Sequence, residues 1–188
     1  MLKARDNPFA SHRLHKLNYR LPGISWDEII DKLRGLGFRA AVVGDEGTGK
    51  TTFVRELAQR LRANGYCVQM RRLSFGVPVP RVFFRQLSSV PDSTVIILDG
   101  ADLLPTVAWY YIKYVVGRNK RLIIASHRQG LLPTLIHSRG SQVVLRELLS
   151  ELIGPCPEHI QHNSLQLLQR HNGDMRKVFR DLYDACSG

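Results

Sequence analysis

Eight residues, Gly44-Asp45-Glu46-Gly47-Thr48-Gly49-Lys50-Thr51, constrain this chain more than any other segment. They fit the phosphate-loop pattern G-x-x-x-x-G-K-[ST]. A short apolar run from Phe38 to Val43 precedes them and reads as a buried strand. Behind them a helix is expected from about Lys50 to Ala63, with Phe53, Leu57 and Leu61 at helical spacing. Glycines let the backbone close around phosphate oxygens with its N–H groups pointing inward. The helix N-terminus adds roughly half a positive charge. Lys50 would neutralise the β- and γ-phosphates, the Thr51 hydroxyl would bind Mg2+, and Thr52 would lie toward the α-phosphate. Gly44, Asp45, Glu46, Gly47, Thr48, Gly49, Lys50, Thr51 and Thr52 are therefore the expected nucleotide-binding residues.

Val95-Ile96-Ile97-Leu98-Asp99 supplies the second half of such a site, a β-rich run ending in a carboxylate. Asp99 would hold Mg2+ through water. Many phosphate-loop ATPases place Glu directly after this Asp to orient the attacking water, but here Gly100 follows. The next carboxylate is Asp102. Two readings of Asp102 stay open: it takes the base role, or it caps the helix that follows.

The remaining segments set the architecture. Ser25 and Glu28 have capping-box spacing ahead of an amphipathic helix that stops near Gly35 and Gly37. Tyr66 to Leu73 reads as a strand. Pro78 and Pro80 precede a short helix around Val82 to Leu87, and Thr106 to Val116 reads as a longer one. Arg121 to Ala125 reads as a buried strand and Gln142 to Leu145 as a shorter one. The chain then becomes helical, with segments at Ser150 to Ile153, Ser164 to His171 and Asp174 to Ala185. Alternating strands and helices imply an α/β fold: a phosphate-loop αβα sandwich with a mainly parallel sheet and a short C-terminal helical lid. The expected divisions are a basic N-terminal arm (1–22), a core (23–146) and a small helical lid (147–188).

Charge narrows the partners. The 188 residues carry 27 Lys+Arg against 16 Asp+Glu, a net +11, which points to anionic partners. Residues 103–146 hold no Asp or Glu, yet contain Lys113, Arg118, Lys120, Arg121, Arg128, Arg139 and Arg146. Nucleic acid on this basic surface is one expectation. Arginine enrichment from a GC-rich genome is the other. Trp109, Tyr110, Tyr111 and Tyr114 would stack bases if exposed, but their spacing favours the core face of a helix. Three scattered cysteines (Cys67, Cys156, Cys186) make no disulfide framework, and no run approaches the ~18 apolar residues of a membrane span. A cytoplasmic chain without membrane association is expected.

With these residues in view, the chain resembles the AAA+ ATPases, particularly the clamp-loader and replication-initiator branches. The segment Leu131 to Gly140 is similar to the clamp-loader segment ending in Ser-Arg-Cys, with Gly140 in place of the cysteine. The resemblance implies that Arg139 is a finger reaching the γ-phosphate of a neighbouring subunit, and hence self-association. Asn172-Gly173-Asp174-Met175-Arg176 is similar to the opening of the sensor-2 helix. It implies that Arg176 touches the γ-phosphate of its own subunit. Ser126 lies where the sensor-1 residue is expected, with His127 the second choice. Asn7-Pro8-Phe9 reads either as cover for an adenine or as an irregular arm.

The expected activity is MgATP hydrolysis coupled to a conformational change, on DNA or on an unknown protein partner. Lys50, Asp99, Asp102, Ser126, Arg139 and Arg176 are the catalytic candidates, with Thr51 and Asp99 at the metal. The rival expectation is a slow or non-hydrolysing ATP switch, which Gly100 favours.

Overall fold

The computed structural model describes residues 6–74, 81–117 and 120–187, with the side chains at 81, 82 and 84 excepted. Pro78, Pro80, Arg118 and the Val82 side chain lie outside the described residues. The elements run α1 (Ser11–Leu14), α2 (Trp26–Gly35), β1 (Arg39–Val43), α3 (Lys50–Ala63), β2 (Val68–Arg72), α4 (Arg81–Ser89) and β3 (Val95–Asp99). A 3-10 turn (Ala101–Leu103) leads to α5 (Thr106–Val116), β4 (Arg121–Ser126), β5 (Thr134–His137), α6 (Gln142–Ile153), α7 (Glu158–Arg170) and α8 (Met175–Ser187). The chain divides into a sheet unit, Ile24–Gly44 with Lys50–His137, and a helical unit, which joins the chain before Ile24, Asp45–Gly49 and the chain from Ser138 onward.

The sheet unit holds five strands in the order β2-β3-β4-β1-β5, all parallel. Its central strands read AAVV, VIIL and LIIA, as strands covered on both faces must. On one face Ala41, Val43, Ile96, Leu98, Leu122 and Ile124 pack with Leu87 of α4 and Trp109, Ile112 and Val116 of α5. Alternate strand residues point the other way. There α3 lies against the sheet and buries Phe53, Leu57 and Leu61 completely. Burying each such side chain contributes roughly 1.5–3 kcal/mol. Parallel pairing brings the C-terminal strand ends to one edge: Asp99 pairs with Ala125, and Val43 with both Ser126 and His137. Gly44, Gly100 and His127 therefore leave the sheet at the same edge.

The helical unit has its own core, in which Leu145, Leu149, Leu168, Val178, Phe179 and Leu182 meet Phe9 and Leu17. Asn7 is fully buried there. Its amide nitrogen donates to the Tyr183 carbonyl at 2.9 Å and to Ser187 Oγ at 3.0 Å, and its Oδ1 accepts from the Phe9 N–H at 3.0 Å. Asn7 and Phe9 are thus fastened to α8.

One strand expectation fails. Gln142 to Leu145 is the first turn of α6, whose N-cap Ser141 accepts from the Val144 N–H at 3.2 Å. Val143 and Val144 imitate a strand locally. The apolar set Leu145, Leu148 and Leu149 instead has helical spacing and is buried. The fifth strand is Thr134–His137, only four residues long. No helix among the described residues is long and apolar enough to cross a membrane.

Candidate nucleotide site

Within the sheet unit, β1 delivers Gly44 to the edge and α3 begins at Lys50. The Gly44 N–H donates to the Ser126 carbonyl at 3.3 Å, which ties the loop entrance to the end of β4. Lys50 Nζ donates to the Gly44 carbonyl at 2.6 Å. Thr51 Oγ1 donates to Asp99 Oδ2 at 2.9 Å. The start of α3 and the end of β3 are therefore joined by a hydroxyl and a carboxylate. Both are hard oxygen donors, the type that Mg2+ takes together with water and phosphate. The residues present fit that ion. Asp99 is 5 % exposed, and Arg72 Nε lies 3.8 Å from its Oδ2. Nothing local in the sequence marks Arg72. Only the β2–β3 register, which sets Arg72 opposite Asp99, brings it there.

Gly100 has φ +86°, in the left-handed region. A Cβ there would sit 3.2 Å from the Leu73 carbonyl oxygen. The backbone itself disfavours a Glu at this position. Asp102 lies in the 3-10 turn, and both its oxygens engage one residue. Oδ1 accepts from the His127 N–H at 3.1 Å, and Oδ2 lies 3.0 Å from His127 Nδ1. The helix-cap reading of Asp102 is overturned, because α5 begins after Pro105 without a side-chain cap. Ser126 is fully buried, and its hydroxyl accepts from the Arg128 N–H at 2.9 Å.

Within the helical unit, the loop residues Asp45–Gly49 meet Ser138, which Tyr19 backs, and Asp174. Ser138 Oγ donates to the Thr48 carbonyl at 2.6 Å, and Tyr19 Oη donates to Ser138 Oγ at 3.0 Å. Burial pushes the Tyr19 phenol above its ordinary range, more than the Ser138 bond lowers it. Asp174 lies against Gly47: a Cβ on that glycine would stand 1.7 Å from Asp174 Oδ1. The same Oδ1 accepts from the N–H groups of Arg176 and Lys177, at 3.0 and 3.2 Å, and so caps α8. Thr48 Oγ1 closes the loop on the Asp45 carbonyl at 2.8 Å. Asp45 and Glu46 are exposed, while Gly49, Thr52 and Thr51 are half-buried.

Arg139 directly follows Ser138 and is exposed; Arg176 is exposed on the first turn of α8. Gly140, which stands where the similar segments carry Cys, meets the Gly173 backbone. A Cβ on Gly140 would fall 2.0 Å from the Gly173 carbonyl oxygen. The two segments that carry the resemblance thus touch through paired glycines. Tyr19 was the other loop contact missed, since nothing local in Asn18-Tyr19-Arg20 marks it.

The basic stretch changes character. Lys120 is buried and donates to the carbonyls of Leu87, Ser88 and Val90 at 3.0, 2.7 and 2.8 Å. Arg121 lies over the Phe38 and Tyr66 rings. Lys113, Arg128, Arg139 and Arg146 remain exposed. The expectation that the aromatic cluster forms the core face of α5 holds only for Trp109. Tyr110, Tyr111 and Tyr114 are 65, 49 and 83 % exposed. Trp109, Ile112 and Val116 are the residues α5 buries, and its three tyrosines face solvent.

No family model and no curated protein matches the chain. Among solved structures, AMPPCP-bound DnaA from Aquifex aeolicus is similar, with TM-score 0.56 and 18 % identity over 81 % of this chain and 57 % of that one. The chain spans little more than half the length of that protein. At this identity the likeness is one of fold. The chain therefore has an α/β, phosphate-loop-type fold with an all-parallel sheet, similar at fold level to the DnaA structure.

Proposed function

We propose that the chain is an AAA+-like MgATPase that converts nucleotide state into a conformational change. The observation that supports this is the 2.9 Å contact between Thr51 and Asp99, the two residues that would hold the metal ion in a phosphate-loop site. The DnaA structure with an ATP analogue supports the choice of nucleotide. In this reading residues 44–52 cradle the phosphates and Lys50 turns from the Gly44 carbonyl to the β- and γ-oxygens. The bound metal ion would supply charge neutralisation at the phosphates, held by Thr51 and, through water, Asp99. The helical unit, to which α6 belongs whole, would respond to the nucleotide, with Arg176 reporting the γ-phosphate. Arg139, exposed directly after Ser138, is the candidate finger supplied in trans. A finger in trans predicts restored turnover when inactive Lys50→Ala and Arg139→Ala chains are mixed; a role in cis predicts none.

The test is phosphate release by wild type, Lys50→Ala and Asp102→Ala, beside MgATP binding by each. Hydrolysis by wild type and loss in Lys50→Ala supports the ATPase. Binding without release selects the ATP-dependent switch, the reading that Gly100 favours.

For the macromolecular partner we propose single-stranded nucleic acid, on the observation that Tyr110, Tyr111 and Tyr114 are exposed beside Lys113. Affinity that falls steeply with salt and drops on Tyr114→Ala supports this; salt-independent or absent binding removes it.

A further inference from the structure

We propose that His127 is the general base for water attack, and that Asp102 is its positioning residue. The proposal rests on the hydrolytic reading above. The position that carries the water-orienting Glu in many phosphate-loop ATPases is Gly100, with no side chain and a left-handed backbone. The next carboxylate along the chain, Asp102, is already committed. One oxygen accepts from the His127 backbone N–H, and the other lies 3.0 Å from the ring Nδ1. The Asp102 side chain is 10 % exposed, whereas the His127 side chain is 40 % exposed. The group of the pair that can meet a water is the imidazole.

A carboxylate on Nδ1 selects the tautomer with the proton on that nitrogen. The lone pair is then left on Nε2. This is the carboxylate–imidazole arrangement that makes histidine a base, with the carboxylate orienting the ring and stabilising the imidazolium that forms.

His127 leaves the sheet at the edge where β1 opens into the phosphate loop. It follows Ser126, the last residue of β4, whose carbonyl accepts from the Gly44 N–H. β4 lies between β1, which opens the phosphate loop, and β3, which ends in Asp99. The Gly100 N–H binds the Ala125 carbonyl at 3.1 Å. The other charged groups around the pair are Arg128, the next residue, and Lys113 of α5. These two line one cavity with Asp102. Asp99 with Arg72 stands at the neighbouring strand end.

In the step, a water oxygen attacks the γ-phosphorus as one of its protons passes to Nε2. The bond between the γ-phosphorus and the bridging oxygen breaks, and its electron pair stays on the terminal β-phosphate oxygen of ADP. The exposed ring then returns the proton to solvent, so that ATP and water give ADP, phosphate and a proton.

The test has two readouts. Nitrogen NMR of the free protein at neutral pH reports the tautomer: His127 is expected with Nδ1 protonated and Nε2 bare, and Asp102→Asn is expected to abolish that preference. An Nε2-protonated ring in wild type overturns the proposal. Single-turnover hydrolysis is then measured against pH beside MgATP binding. His127→Gln keeps the backbone N–H that Asp102 accepts, so the turn persists. It is expected to lose about 10²–10⁴-fold in rate, the range of general-base catalysis, with binding retained and the acid limb of the wild-type profile gone. Wild-type rate and profile in His127→Gln overturn this proposal alone. Wild type that binds MgATP without releasing phosphate overturns both the proposal and the hydrolytic reading.

Discussion

Asp174 stands directly against Gly47: the carboxylate that caps α8 fills the space a side chain at the middle of the phosphate loop would need. Gly47 also has φ +69°. Gly47→Ala therefore meets two costs, the left-handed backbone at ~1–2 kcal/mol and a collision with Asp174. The melting temperature is expected to fall by at least about 2–4 °C for each kcal/mol lost in a chain of this size. Adding Asp174→Gly should not restore it, because the backbone cost remains and the α8 cap is lost. Thermal melts of the three proteins check this.

Gly100→Glu supplies the carboxylate that the phosphate-loop pattern lacks, and it is expected to fail. A left-handed Glu costs ~1–2 kcal/mol, and its Cβ would press on the Leu73 carbonyl. Lower stability without faster phosphate release is the expected result. Faster release would show that this strand end can accommodate the usual arrangement.

The phosphate loop and the end of β3 were legible because each is a local pattern with a mechanism attached. Thr51 meets Asp99 at 2.9 Å, and Lys50 bonds the Gly44 carbonyl. Pairings across strand ends were not legible. Arg72 meets Asp99, and His127 meets Asp102, only through parallel register, which depends on which strands become neighbours. The Gln142–Leu145 error has the same root: a β-branched pair outweighed a cap and a helical apolar spacing that only packing could decide. Lys120 counted as free charge in the sequence, whereas it closes the carbonyl end of α4.

That closure makes Lys120→Met a stability variant rather than a binding variant. Removing the ammonium leaves three carbonyls without it. Hydrogen bonds to a charged group contribute about 1.5–3 kcal/mol, so a loss of at least this size is expected in denaturant unfolding. MgATP affinity corrected for the folded fraction should not change.

Tyr19 gives the helical unit an alkaline limit. Burial raises its pKa in the folded chain above the ordinary 10.0. The native state then holds the phenolic proton where the unfolded chain has released it. This contribution to stability is full below pH about 10 and is lost as pH rises through the raised folded value. Unfolding free energy followed above pH 10 should decline more steeply in wild type than in Tyr19→Phe, which cannot ionise. Equal slopes would place Tyr19 outside the alkaline transition.

The central claim is that residues 44–52 with Asp99 form a MgATP site. Calorimetric titration of the wild-type chain with ATP, with and without Mg2+, beside Lys50→Ala, tests it most directly. Wild type is expected to bind, with affinity enhanced by Mg2+. Lys50→Ala should be weaker by about tenfold to a hundredfold, as the loss of a charged hydrogen bond implies. Equal affinities in the two proteins, or no binding by a folded wild-type chain, would contradict the account.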